Sequence, residues 1–259
     1  MTYFVNGCTK LNYDTNLFNF KALIFEELNE FIKKHENLSI KSLSDLHKID
    51  SITKDVEPYR QKCFSIFRSE KFQTLYRMFA LDLIKNYFNE DSLFQKTPTV
   101  RIQFPGEKAT PYHSDGWYGH GDSVKSFWVP MTSVDSNNTL YMAKDKKSSK
   151  LFLKKIISDS PPYKKISSLA KKICEPLNGG VGDVFVFSSD MIHGTEMAVG
   201  NNTRLSFDFR IAEDPKKLGN KPRSNFYSKE EVNSAKKNEE NNLKRTGLFY
   251  TNNCNNKPS

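Results

Sequence analysis

The chain has no run of apolar residues approaching membrane-spanning length, which excludes a helical span of the usual kind. Its start, from Met1 to Cys8, has neither a basic stretch nor an apolar core of the secretory type. A cytoplasmic location with no membrane partner is therefore expected. Cysteine is scarce: Cys8, Cys63, Cys174 and Cys254 lie far apart, and none makes a Cys-x-x-Cys. That spacing fits neither a zinc site nor a disulfide framework, and it predicts four free thiols in a reducing compartment. Clustered arginine is also missing. The net charge of +9 comes from lysines spread through 144–172 and 216–245. This is a pattern of solubility more than of phosphate grip, so nucleic acid is not an expected partner. Nothing in the sequence fixes the oligomeric state.

What is present is an aromatic-rich chain of 259 residues with 20 Phe and 11 Tyr, long enough for one domain with a substantial core, and suited to β structure. Apolar residues Phe18, Leu23, Ile24, Leu28, Phe31 and Ile32 recur at helical spacing, predicting a helix over 15–37 that breaks at 37–39. A weaker helix is expected over 42–47. Residues 57–88 predict one or two more, burying Phe64, Phe67, Phe72, Leu75, Phe79, Leu81 and Ile84. His35 and His47 read as surface residues on these helices. From Val100 the period changes from 3.6 to 2, and strands are expected over 99–104, 112–115, 124–131, 139–143, 151–153, 184–188 and 204–211. The Lys-rich stretch 144–172 reads as a surface insertion with a helix near 163–173. Helices followed by many short strands predict an α+β fold, a double-stranded β-helix (jelly roll, cupin-like) buttressed by N-terminal helices. The expected division is 1–92 as helical support, 93–212 as the core, and 213–259 as an extension within the same globular unit. Its last ten residues are expected to be mobile, and Phe226, Tyr227, Leu248, Phe249 and Tyr250 are apolar islands in it.

Within that frame, His113-Ser-Asp115 stands just after a strand whose Thr99, Arg101 and Gln103 share a polar face. In an extended segment, residues i and i+2 project to one side, so His113 and Asp115 can reach one metal. Alone, the motif is more often a surface His beside a turn Asp. His193 follows the turn-and-strand stretch 179–187 by six residues. After the turn 200–203, the segment 204–211 alternates without a break. Leu205, Phe207, Phe209 and Ile211 lie on one face, and Arg204, Ser206, Asp208 and Arg210 on the other. That polar face either meets solvent or lines a cavity. Two imidazoles and one carboxylate leave positions open on an Fe(II). A nearby Arg provides a planar fork for a carboxylate.

The ordered segments 98–106, Tyr112-His-Ser-Asp115, 126–132, 138–141, 187–194 and 203–210 resemble a family of 2-oxoglutarate/Fe(II) oxygenases. These occur in bacterial carbohydrate and aminoglycoside-type gene clusters, include the streptomycin-biosynthesis type, and are distant relatives of phytanoyl-CoA hydroxylases. The resemblance covers about residues 70–212. Two positions depart from its pattern: Ser126 stands where Asn is expected, and Tyr141 where Trp is expected. It implies Fe(II) as cofactor, with 2-oxoglutarate and O2 as co-substrates.

On this reading His113, Asp115 and His193 hold the metal, and Arg204 with Ser206 binds the distal carboxylate of the oxo-acid. Arg101, Gln103, Asn138 and Trp128 are further candidates for the co-substrate side, with Ser126 near them; Trp128 reads equally well as core. Tyr112, Trp117, Tyr118 and His120, which flank the motif, and Arg210 are candidate substrate contacts. Asp208 and Arg210 either contact substrate or pair with each other. A carboxylate at 115, where halogenating relatives have a small residue, argues for hydroxylation, or for desaturation, epimerisation or ring formation. The expected substrate is a small polar metabolite, sugar-like or aminocyclitol-like. The alternatives are a nucleic-acid dealkylating oxygenase, favoured by the spacing of Arg204 and Arg210, a non-oxidative cupin-like binding module, and a zinc hydrolase.

Overall fold

The computed structural model describes residues 7–108, 110–221, 226–228 and 248–251. Two antiparallel sheets and a layer of helices make up these residues. Helix α1 (Phe20–Glu36) starts where the Asn19 side chain accepts from the Ala22 amide, and ends at Asn37 in the left-handed region with φ 52°. Both residue types suit these positions, since a short polar side chain caps and also tolerates φ > 0. A 3-10 turn over Leu43–Lys48 and the short α2 (Asp50–Lys54) follow. The periodic stretch 57–88 is two helices, α3 (Glu57–Arg68) and α4 (Glu70–Tyr87). Ser69 divides them: it is extended, and its hydroxyl accepts from the Phe72 amide.

The large sheet contains β1 (Cys8–Tyr13), β2 (Leu93–Gln95), β3 (Thr99–Gln103), β4 (Val124–Pro130), β7 (Asp183–Ser188), β9 (Arg204–Ala212), β10 (Tyr227–Ser228) and β11 (Leu248–Thr251). Its order is β10-β2-β9-β4-β7-β1-β11, with β3 beside β2 on the same edge of β9. A small sheet runs β6 (Cys174–Pro176), β5 (Leu140–Ala143), β8 (His193–Thr195). Between β5 and β6 lie α5 (Lys146–Asp159) and α6 (Tyr163–Lys171).

All nine residues of β9 are buried, so neither face of its alternation meets solvent. Leu205, Phe207, Phe209 and Ile211 join Phe127 and Val129 of β4 and Val184 and Val186 of β7 against α1, α3 and α4. Phe20 is a hub of this core, with ring centroids 5.5 Å from Phe72, 5.3 Å from Phe79 and 5.2 Å from Phe207. Removing the Phe207 ring would leave a void bounded by Phe20, Phe67 and Phe72. Phe207→Ala is expected to lower stability by about 3–5 kcal/mol, read from denaturant unfolding.

Several expectations are corrected. Residues 151–153 lie inside α5, where Phe152 is buried and Leu151 exposed, a helical alternation that three residues cannot separate from a strand. Residues 112–115 form no strand; His113 makes only an isolated bridge to His193. Phe64 is 36% exposed, because it sits at the edge of α3 beside a cavity. His47 is half-buried and tied to Thr203 and Asn201, at 3.1 and 2.7 Å. The N-terminal segment is not only helical, since β1 pairs with both β7 and β11. Cys8 is disulfide-bonded, while Cys63 and Cys174 are free. Four free thiols are therefore not what the fold holds, since spacing along the chain does not report which cysteines meet in space. The cysteines therefore do not imply a reducing compartment. No helix among the described residues is long and apolar enough to cross a membrane. Of the apolar islands, Phe226 and Tyr227 pack on Leu93, Val124, Ala212 and Leu218. The expected mobility of the last ten residues falls almost wholly outside the described residues.

Candidate metal centre

The polar face of β9 turns toward the small sheet. Register places Ser126 opposite Arg210, Trp128 opposite Asp208 and Arg101 opposite Ser206. His193 enters from β8, and His113 is held against it by reciprocal backbone hydrogen bonds of 2.8 and 2.9 Å. Asp115 opens a 3-10 turn over Asp115–Tyr118 that the Ser114 hydroxyl caps. Gly194 follows His193, and a Cβ there would lie 2.7 Å from the Tyr112 Cα, so the bridge needs glycine.

These elements bring one ligand atom from each of His113, Asp115 and His193 within 4.8 Å of one another, all buried. The histidine Nδ1 atoms are taken by main-chain carbonyls, His113 by Pro111 at 2.8 Å and His193 by Met191 at 2.9 Å. That fixes the tautomer and leaves both Nε2 atoms as lone-pair donors. They lie 3.6 and 3.8 Å from Asp115 Oδ1. The donor set and its carbonyl anchors fit a divalent metal ion.

Asp115 Oδ2 accepts from the Ser126 hydroxyl. Arg210 Nη2 donates to both carboxylate oxygens, at 3.2 and 3.1 Å. Arg210 also pairs with Asp208, which takes Arg101 Nε at 2.9 Å. A chain of four alternating charges thus runs from the sheet edge to the metal-binding carboxylate. Burial raises the Asp115 pKa, but Arg210 and the neighbouring imidazoles outweigh it and hold the carboxyl well below its usual range. For Arg210 the balance is similar: burial lowers its pKa, while Asp115 and Asp208 raise it further and keep it charged. Deleting one member of such a set strands a buried charge. Arg210→Ala is expected to cost about 3–5 kcal/mol of stability, measured by denaturant unfolding, and to loosen metal binding because Asp115 loses its orientation.

Arg204 is 2% exposed, and its Nη1 donates to the Asn138 carbonyl at 3.0 Å. Its guanidinium carbon lies 5.9 Å from the Trp128 ring. Burial, with the charge of Arg101, pushes its pKa down to about 10, so it stays cationic at neutral pH. Its Nε and the Ser206 hydroxyl have no hydrogen-bond partner, although both are buried. Such orphaned groups on one face, two residues apart, suit an incoming carboxylate.

The other sequence-derived candidates divide. Trp128 is buried against Phe185 as well as Arg204. Asn138 uses its side chain in the turn with Asp135 and Ser133. Gln103 donates to the Glu107 and Glu196 carbonyls, leaving Oε1 without a partner. The Tyr112 hydroxyl donates to Glu196 at 2.9 Å, so its polar end is engaged there, not at the metal ligands. Arg210, read as a substrate contact, grips Asp115 instead. Trp117 and Tyr118 are 44% and 57% exposed, and the Tyr118 ring lies 5.1 Å from the His113 ring. His120 is buried, with Nδ1 3.4 Å from the Tyr227 hydroxyl and its ring 5.4 Å from Phe226. Sequence reading missed Glu196 as a partner of Tyr112 and the grip of Arg210 and Ser126 on Asp115.

Burial, joined by His113 at one site and Arg210 at the other, pushes His193 and His120 down to about 4. Both folded-state values lie below the unfolded value near 6.5, so the unfolded chain binds these protons first. Stability of the metal-free protein is expected to be full above about pH 6.5 and to fall as pH drops toward 4, by up to about 1.4 kcal/mol per unit for each imidazole. Unfolding at several pH values checks this; a midpoint that is flat across the window contradicts it.

No family model matches the chain. The chain is similar to the streptomycin biosynthesis protein StrG of Streptomyces griseus, 23% identical over 205 residues, covering 78% of this chain and 83% of StrG. Among solved structures, HygX from Streptomyces hygroscopicus, with nickel and 2-oxoglutarate bound, aligns with a TM-score of 0.48 and 10% identity, over 82% of this chain and 84% of HygX. AviO1 from Streptomyces viridochromogenes Tue57 aligns with a TM-score of 0.44 and 15% identity, over 82% and 92%. At these levels the likenesses carry no assignment.

Proposed function

We propose that the protein is an Fe(II)- and 2-oxoglutarate-dependent oxygenase acting on a small polar metabolite, sugar-like or aminocyclitol-like, and that its two sheets form a double-stranded β-helix. One observation carries the reading. The buried His113, Asp115 and His193 set lies on the same side of the large sheet as a buried Arg204 and Ser206 whose Nε and Oγ have no partner. Zinc hydrolysis does not itself require that second pair, whereas a co-substrate with a distal carboxylate does.

Iron held there supplies the oxidising chemistry, with 2-oxoglutarate and O2 consumed and succinate and CO2 released. The protein's part is placement. Pro111 and Met191 carbonyls fix the two imidazoles, and Ser126 and Arg210 fix the carboxylate. Arg204 and Ser206 bind the distal carboxylate in a dry setting, where two charge-assisted bonds hold it at a set depth. Trp117 and Tyr118 offer flat apolar faces with polar edges at the rim. His120, neutral at pH 7, offers a ring nitrogen for a substrate hydroxyl.

The test is succinate release with Fe(II), 2-oxoglutarate and a panel of sugars, aminocyclitols, amino acids and alkylated oligonucleotides. Substrate-dependent succinate with a sugar or aminocyclitol supports the reading. Release with oligonucleotides alone, falling steeply with salt as phosphate binding does, moves the substrate class to nucleic acid. Absence of turnover with every class, together with no 2-oxoglutarate binding, overturns the oxygenase reading.

A further inference from the structure

The two basic segments differ in composition: 216–245 mixes lysine, arginine and four glutamates, whereas 144–172 is almost purely lysine. Between Lys144 and Lys172 there are ten lysines, no arginine, and only Asp145 and Asp159 as acids. This one insertion has a net charge of +8, against +5 for 216–245. It folds as α5 and α6, joined to the small sheet at β5 and β6.

Helix α5 turns Ser149 and Phe152 inward, with Leu153 and Ile156 partly covered. Lys147, Lys150 and Lys154 follow at helical spacing along the outer side and are exposed, as is Lys155. Among the described residues, the lysines of the insertion make two ion pairs, both at its margins: Lys146 with Asp190 at 3.7 Å and Lys171 with Glu196 at 3.2 Å. The same outer surface exposes aliphatic tips: Leu151 is 58% exposed and Ile157 80%.

We infer that this insertion is a docking surface for an anionic lipid bilayer. Several lysines on an amphipathic helix attract an anionic leaflet, and bare aliphatic side chains among them add buried apolar area at the headgroup boundary. Other partners fit less well. Protein interfaces are enriched in Arg and aromatic residues and depleted in Lys. Nucleic acid favours arginine forks, and the insertion has no arginine. The lack of a spanning helix bears on crossing a bilayer, not on lying against one.

The intact protein is tested by co-sedimentation with vesicles of about one-third phosphatidylglycerol in phosphatidylcholine, and with pure phosphatidylcholine vesicles. Binding to the anionic vesicles alone is expected, weakening with salt. The triple variant Lys147→Glu, Lys150→Glu, Lys154→Glu should lose more than tenfold in partitioning, and Ile157→Ser should lose severalfold at constant charge. Unchanged thermal unfolding of each variant shows that the fold is retained. If the triple variant does not fold, Ile157→Ser and the salt titration decide. Equal or no sedimentation with both vesicle types overturns the inference, as does undiminished binding by the triple variant. So does tighter binding of a single-stranded oligonucleotide that Ile157→Ser leaves unchanged, which would mark a surface for nucleic acid.

Discussion

His193→Ala abolishes tight binding of a divalent metal: that is the largest effect expected from any single change at the site. His193 Nε2 is aimed by the Met191 carbonyl, and the substitution leaves the backbone bridge to His113 in place, so the loss reports the missing imidazole alone. Two donors remain in the variant, where a stable site with open positions needs three. Titration of metal-free protein with Fe(II) or Co(II) under anaerobic conditions gives the measurement. A weak visible band expected with Fe(II) and 2-oxoglutarate together should vanish in the variant. An unchanged band, or wild-type affinity for Co(II), would remove His193 from the ligand set. His47→Ala provides the control; it cuts the bonds to Thr203 and Asn201, and it should leave metal affinity intact.

Much of the fold was legible because periodicity reports burial directly. The 3.6-residue pattern found α1 and the pair α3 and α4, and the two-residue pattern found β3, β4, β5, β7 and β9. Ser69 between α3 and α4 was not resolved, since the apolar spacing continues across it. β1 was missed although it pairs with β7 over five positions: six residues of mixed polarity at a chain end give no alternation to read. The stretch 151–153 failed for a related reason, since Leu-Phe-Leu fits either period. The disulfide at Cys8 is not legible from cysteine spacing, which does not report which thiols meet in space.

At the site, ligand identity was legible and ligand support was not. His113 and Asp115 are two residues apart in sequence, and a resemblance spanning ordered segments linked them to His193. The polar stripe of β9 was also visible. Its pairing pattern was not, because register decides it. Ser126 reaches Asp115 because β4 lies beside β9 with Ser126 opposite Arg210. Arg210 faces the metal-binding carboxylate for the same reason. Tyr112 precedes His113 directly, so it is directed elsewhere, and its hydroxyl meets Glu196.

The second large effect falls on Arg204. Arg204→Ala should raise the apparent Kd for 2-oxoglutarate by a hundredfold or more, about 2.8 kcal/mol at the conversion of 1.4 kcal/mol per decade, while metal affinity changes little. The separation follows from the contacts. Arg204 touches none of the three ligands; it meets the Asn138 carbonyl and the Trp128 ring. Its Nε is left over, as is the Ser206 hydroxyl. Deleting the guanidinium removes the cation that a carboxylate in a dry site requires, whereas Ser206→Ala removes one neutral donor and should cost about tenfold or less. Arg204→Lys tests the geometry: it keeps the charge but loses the planar fork, and it should recover only part of the affinity. Calorimetric titration of 2-oxoglutarate into metal-loaded protein measures all three variants. If Arg204→Ala stays within about twofold of wild type, roughly 0.4 kcal/mol, another cation holds the co-substrate. Arg101, whose Nε alone is committed to Asp208, would be the next to remove.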